Sequence, residues 1–354
     1  MPRWAFGATR RHWVALGGLL LACVWGPLAA QPVEQLRVVG GLANLNQYLR
    51  HEQPFWTQQL TQLSAGRIRA EIVPFDEAGL TPIDLFRAVQ ADSVSVGTVL
   101  LSAAAAMEPQ LAGPDLTGLN PDFESAQRTL KAYRPYLARL VQERHGLRLL
   151  AVFAYPAQVV YCARAFSGLS DLRARRVRVS SPSQAAFMTG LGAQPVQLAF
   201  AQIVPAMKGG TLDCAITGTM TGNTIGLVDV TSHLHDLPLN WGLAMVVANE
   251  ARWRSLSASS RALIEREMPR LEAAVWAESL RETEDGLACN VGAAACRGGR
   301  KGQMVRVAAT AADRKLSREL LRQQVVPAWM QRCGEACGGL WRTILAPSAG
   351  VDQP

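Results

Sequence analysis

The chain has 354 residues, 49% of them hydrophobic, and a formal net charge of +8 from 36 Lys and Arg against 28 Asp and Glu. That length and apolar content suffice for two packed domains and exclude a disordered, low-complexity protein. The Lys and Arg residues are scattered, with no aromatic-interleaved basic stripe, so the charge reads as a solvated surface with some bias toward anionic solutes, and no nucleic-acid partner is expected.

Residues 1–30 read as a signal peptide. Arg3, Arg10 and Arg11 flank an apolar stretch, 13–25, that is too short to span a bilayer comfortably, and Leu28-Ala29-Ala30 offers small residues before Gln31. Arg10-Arg11 also fits a twin-arginine signal, so Sec and twin-arginine export both stand, with a periplasmic destination. Residues 20–23 only loosely match a lipid-attachment motif, because Val24 and Trp25 follow Cys23. Loss of the leader lowers the formal charge from +8 to +5 and leaves Cys162, Cys214, Cys289, Cys296, Cys333 and Cys337. Export permits disulfides, and six cysteines allow about fifteen pairings. The four late cysteines are expected to staple the C-terminal region together. Zinc is the alternative, disfavoured because no His lies near them.

In chain order, 36–40 is a short apolar strand ending in Gly40-Gly41. Asn44 to Tyr48 opens a helix running to Leu63; Asn46 and Tyr48, at a strand-to-helix turn, are candidates for ligand contact, with helix capping by Asn44 or Asn46 as the alternative. A strand at 68–74 and a loop at 75–81 lead to Pro82, which suits the first position of a helix burying Leu85, Phe86 and Val89. A strand follows at 94–100, then an irregular stretch, 103–117. The helix at 123–143 has Leu130, Tyr133, Leu137, Leu140 and Val141 on one face and a kink expected at Pro135. Strands at 147–155 and 158–163 flank Pro156.

The stretch 169–217 organises the chain. Strands at 176–179, 194–198 and 212–217 alternate with helices at 184–191 and 200–208. This spacing gives parallel βαβ units, whose ligands sit beyond the carboxyl ends of the strands. Arg178, followed by Ser180 and Ser181, lies at one such end, and Thr217, followed by Gly218 and Thr219, at another. Residues 218–224 read as a small-residue loop, able to bring N–H groups to an anion or to serve as a plain turn. After a strand at 230–235, residues 240–249 return to the first domain and carry Trp241, which either stacks on a ligand or fills the core. Ser257 caps a long helix reaching about Glu284. A Gly- and Ala-rich loop at 285–303, an amphipathic helix at 315–329 and a frayed tail at 347–354 complete the chain.

Enzyme signatures are missing from the sequence. There is no nucleophile elbow, no H-E-x-x-H, and no GxGxxG or Walker lysine in context. Cys214 has no visible His partner and reads as a small buried hydrophobe. No catalytic residue, cofactor or metal is expected.

Two motifs carry a resemblance. The stretch from Asp171 to Gly218, DLRARRVRV followed by GLGAQPVQLAFAQIVPAMKGGTLDCAITG, is similar to the DLKGLKIRVP and GAxPVxLxFxEVYxALQxGxVDG pattern of the periplasmic solute-binding (DctP-type P-subunit) proteins of TRAP transporters. Upstream, SAGRIRAEIVPFDEAGLTPIDLFRAVQ resembles that family's TGGRIKVEVFPNGQLG…ELLEAVQ, so the likeness spans about 36–267. It implies a two-lobed α/β periplasmic binding protein fold. Each lobe would be a mainly parallel sheet flanked by helices, with hinge strands near Pro156 and a long lobe-spanning helix. Lobe I would hold 31–156 plus 245–354, and lobe II 157–244. The resemblance further implies capture of a small organic carboxylate by cleft closure and delivery to TRAP permease membrane subunits; a sensor kinase as the partner, or an exported α/β enzyme, are the alternatives. Arg178 falls on the family's carboxylate anchor, and Thr217, Gln158, Phe200, Trp241, Asn46 and Tyr48 complete the expected ligand-binding set. Three departures stand out. The place of a second arginine falls near Gln158, with Arg164 further on, Thr217 stands in the place of an Asn, and Ser180 in that of a Pro. A monocarboxylate with hydroxyl or aromatic character therefore fits as well as a dicarboxylate.

Overall fold

The computed structural model describes residues 33–351. The expected signal peptide, Cys23 and the last three residues of the tail lie outside them. The strands in chain order are β1 (Glu34–Gly40), β2 (Ile68–Pro74), β3 (Val96–Leu100), β4 (Leu147–Phe153), β5 (Gln158–Cys162), β6 (Arg176–Val179), β7 (Gln194–Gln197), β8 (Cys214–Gly218), β9 (His233–His235), β10 (Ala244–Asn249) and β11 (Val305–Val307). They form two sheets, in the orders β2-β1-β3-β10-β4 and β11-β9-β5-β8-β6-β7.

Both sheets are mixed, and each keeps the parallel βαβ units expected of a mainly parallel sheet. The βαβ units pair in parallel, β1 with β2 and β3, and β6 with β7 and β8. The strands by which the chain changes sheets run the other way. β10 is antiparallel to β3 and β4, and β5 is antiparallel to β8 and β9. A strand entering from the opposite sheet arrives without a crossover helix, and so meets its neighbours antiparallel.

Local signals explain the helices. Thr81 accepts from the Asp84 N–H at the start of Pro82–Gln90. Asp122 and Ser125 form a reciprocal capping box for Phe123–His145, and Gly146 ends that helix in the left-handed conformation. The helix continues through Pro135. It buries Leu130, Tyr133, Leu137 and Val141, each such side chain contributing about 2 kcal/mol. The helix capped by Ser257 runs from Ala258 to Asn290, beyond the expected end near Glu284 and into the segment read as a loop. Among the described residues no helix is long and apolar enough to cross a membrane.

Other readings are corrected. Residues 219–224 are a helix, Thr219–Thr224, packed on the long helix; small residues hide its periodicity but permit close approach. The stretch 103–117 holds two short helical elements, Leu101–Ala104 and Pro109–Asp115. The expected helix at 315–329 is two, Ala311–Leu320 and Val326–Leu340, joined by a π-helical turn. The tail contains a helical turn, Ala346–Ala349. β11 joins the second sheet, so the chain revisits that sheet after residue 245.

The cysteines pair as Cys162–Cys214, Cys289–Cys296 and Cys333–Cys337. The four late ones bond within the C-terminal region, each to its near neighbour. Cys214, whose pairing the sequence leaves open, is buried and bridges β8 to the directly opposed Cys162 of β5.

Four passages connect the sheets. β4 leads through Tyr155 and Pro156 to β5, and residues 236–243 lead from β9 back to β10. The long helix packs on β4 at one end and on Thr219–Thr224 at the other. Finally, Ala311–Leu320 lies against the second sheet's elements, where Asp313 accepts from the Leu169 N–H. Val326–Leu340 then reaches the first sheet's side, with Trp329 Nε1 donating to Pro109 O at 2.7 Å.

Candidate ligand-binding site

β6 is a short strand whose side chains alternate. Val177 and Val179 enter the core, while Arg176 and Arg178 take the other face. Arg176 is held at the strand's outer end by Asp213, whose carboxyl is pushed down to about 2, chiefly by its hydrogen bond from that guanidinium. Arg178, two residues on, is 5% exposed. Its Nε donates to Leu198 O at 3.1 Å and its Nη1 to Ile216 O at 2.9 Å. No carboxylate among the described residues pairs with it, and burial alone pushes its pKa down to about 10. Two of its five N–H donors are spent on carbonyls beyond β7 and within β8, which fixes the guanidinium plane and leaves Nη2 without a partner among the described residues. A buried, immobilised cation with spare donors is chemically able to accept an anion.

The end of β8 adjoins it. Thr217 is 2% exposed, and its hydroxyl has no hydrogen-bond partner among the described residues. Gln158, at the start of β5, faces Gly218 across the ladder and is half-buried. Its amide nitrogen donates to Pro156 O and lies against Gly218 and Gly242, where an added Cβ would stand 3.2 and 3.3 Å away. Phe200 is half-buried just after the Leu198 carbonyl that Arg178 engages. Arg178, Thr217, Gln158 and Phe200 therefore gather at one end of the second sheet.

The remaining candidates lie elsewhere. Trp241 is 2% exposed; Nε1 donates to Asn120 O at 3.1 Å and its ring packs edge-on against Phe123, so it fills the core of the return passage. Asn46 makes no cap bond and donates to Glu282 of the long helix at 2.6 Å. Tyr48 is buried against Gly40 and reaches Ile72 O at 3.5 Å.

Sequence reading missed two polar assemblies. In the first, Ser180 donates its N–H and hydroxyl to Gln184 Oε1 (2.8 and 3.1 Å), and Gln184 Nε2 donates to Asn240 Oδ1 (2.9 Å). Asn240 Nδ2 in turn donates to Asp115 (3.0 Å), which also accepts from the Trp241 and Leu243 N–H groups. This relay ties the end of β6, beside Arg178, to the return passage and to the first sheet's side. Its members are far apart in sequence and leave no periodic signal. In the second, fully buried Glu52 accepts from Gly41 N (3.0 Å), Gln47 (2.7 Å) and Thr98 (2.9 Å), and burial pushes its carboxyl up to about 7. The turn is Gly40-Gly41 because a side chain at Gly41 would meet the Tyr155 hydroxyl at 2.9 Å and Glu52 at 3.0 Å.

With this geometry in place, the family model for bacterial extracellular solute-binding proteins, family 7 (DctP), matches residues 43–295. The chain belongs to the DctP family. Solved structures agree in fold. A Bordetella pertussis extracytoplasmic solute receptor binding pyroglutamic acid superposes on this DctP-family protein with a TM-score of 0.77 at 20% identity, covering 89% of this chain and 99% of the other. A TRAP periplasmic solute-binding protein from Desulfovibrio salexigens with bound orotic acid gives 0.79 at 18% identity, covering 90% and 99%. One from Pseudomonas aeruginosa with bound L-malate gives 0.73 at 18% identity, covering 85% and 100%. Comparison with curated protein sequences yields no significant match. The DctP-family chain shares their two-lobed architecture, each lobe built on one of the two sheets.

Proposed function

We propose that this DctP-family protein captures a small organic carboxylate between its two lobes, with Arg178 as the anchor, and hands it to a TRAP-type membrane permease. The observation that carries the reading is the buried guanidinium that has no counter-ion among the described residues and is pinned by two backbone carbonyls. A bound carboxylate would supply the missing charge. Similar structures hold pyroglutamate, orotate and malate, all carboxylates, which supports the same ligand class here. Thr217, Gln158 and Phe200 complete the pocket on the lobe II side. The lobes divide near Pro156 and again between residues 239 and 244, and closure about these passages would enclose the ligand. The disulfides fit an oxidising compartment, consistent with export by residues 1–30. The family and the similar solved structures are solute receptors, which supports binding rather than turnover as the chemistry of this site.

The test is native mass spectrometry of protein purified from its own host, followed by thermal-shift titration with a panel of organic acids. A carboxylate recovered unchanged, and stabilisation by it, is the expected result. A panel in which no carboxylate stabilises the protein would overturn the reading.

A further inference from the structure

The first lobe contributes a wall of a different kind. Leu45, Tyr155 and Ala244 form a buried apolar cluster with half-buried Leu42 and Leu100 against it. These residues stand where the first sheet meets the passages: Leu42 just after β1, Leu100 at the end of β3, and Ala244 opposite Leu100 at the start of β10. A chain of neighbouring residues leads from this wall to the strand that Arg178 engages. Gly242 touches Tyr155 on one side and the Gln158 amide on the other, each about 3.3 Å from where its Cβ would be. Gln158 abuts Gly218, and Arg178 grips the carbonyl of Ile216 on the same strand.

Charge along this path is one-sided. At the lobe II end stands Arg178; the groups nearest it, Gln158 and Thr217, are neutral. Beneath the lobe I wall the titratable groups beside Tyr155 are acidic: Glu52 lies under Gly41, and Asp76 accepts from the Ala43 N–H at 2.9 Å. Another cation, Arg332, lines a cavity of about 50 Å³ with Ser102, Asp115, Ser181 and Trp329, a space that suits water. Its Nη2 is engaged by Ala105 O at 2.7 Å.

Resting on the proposed carboxylate site, we infer that the ligand carries a single carboxylate on an apolar or aromatic body. The carboxylate would dock on Arg178, and the body would lie along Leu42, Leu100 and Tyr155. A second carboxylate would meet hydrocarbon backed by acidic groups and would enter without a cation to pair with.

Matched acids test this. Calorimetric titration of the purified protein with hexanoate against adipate, and with benzoate against terephthalate, holds the body constant and changes only the number of carboxylates. The monocarboxylate of each pair is expected to bind about tenfold tighter or more, and Arg178→Ala to abolish its binding. Dicarboxylates that bind as tightly or tighter, and are lost in Arg178→Ala, would overturn the single-carboxylate inference while leaving the anchor standing. Undiminished binding in Arg178→Ala, or no binding of any of the four acids by the wild type, would overturn the inference, and the former would overturn the anchor as well.

Discussion

Replacing Arg178 by Met separates its two roles, since Met keeps most of the apolar stem and removes the charge. In the unliganded protein burial lowers the guanidinium's pKa from its ordinary value to about 10, which corresponds to about 3 kcal/mol of unfavourable burial. The native state binds fewer protons than the unfolded one only above about pH 10, so the penalty is fully present at every pH below that. Met removes that penalty but strips the donors from the Leu198 and Ile216 carbonyls, costing about 1–3 kcal/mol each. The terms oppose, and the unliganded variant is expected to stay within about 3 kcal/mol of wild type by urea denaturation. Ligand binding has no such offset. Two charge-assisted hydrogen bonds at about 1.5–3 kcal/mol each are lost, weakening the carboxylate by roughly a hundredfold to ten-thousandfold. Calorimetry with the best-binding acid from the panel measures it. Affinity within about threefold of wild type would refute the anchor, and a variant that failed to fold would show that the side chain is structural.

Three further outcomes are expected. Glu52, with its carboxyl pushed up to about 7 from 4.5, holds its proton in the native state across a window where the unfolded chain has released it, so stability falls by about 3 kcal/mol as pH rises through 4.5–7. Glu52→Gln should therefore flatten urea-measured stability between pH 5 and pH 8, though not wholly, since Glu282 is shifted to about 7 as well; an unchanged slope would sink the assignment. Breaking Cys162–Cys214, which closes a loop of sequence separation 52, should cost about 4 kcal/mol, against about 2.5 kcal/mol for the seven-residue separation of Cys289–Cys296. Paired Cys→Ala variants compared by melting temperature check that order, and a reversed ranking would contradict it. Gly286→Ala would drive a Cβ to 2.3 Å from Met220 N, so it should destabilise by about 2 kcal/mol or more even though Ala is the better helix former. A neutral or stabilising Gly286→Ala would mean the contact is soft.

Local pattern carried much of this molecule. The strand bearing Arg178 alternates cleanly over 176–179, and the Pro82 and Ser257 helix starts follow from capping chemistry alone. Strand direction was less legible, because a strand's partner depends on which sheet the chain has just left; β5 and β10 read as ordinary apolar runs. Thr219–Thr224 escaped notice because small residues give no amphipathic stripe, and it is helical for the sake of close packing at Gly286. The proposed site was legible in part. Arg178, Thr217, Gln158 and Phe200 cluster because βαβ order brings strand ends together. Asn46, Tyr48 and Trp241 are polar or aromatic residues at turns, and there burial decides between ligand and core. The Asp115–Asn240–Gln184 relay and the Gly41–Glu52–Thr98 group join positions that only tertiary folding makes neighbours.

The four passages between the sheets have a mechanical consequence. Two extended segments alone would let the halves swing freely, but here a 33-residue helix and the Ala311–Leu340 pair of helices also bridge them. Any widening of the cleft must bend the one or slide the other. The amplitude is thereby capped: small-angle scattering should register only a slight contraction when cargo is taken up, and escape of that cargo should be slow, paced by how often these braces yield.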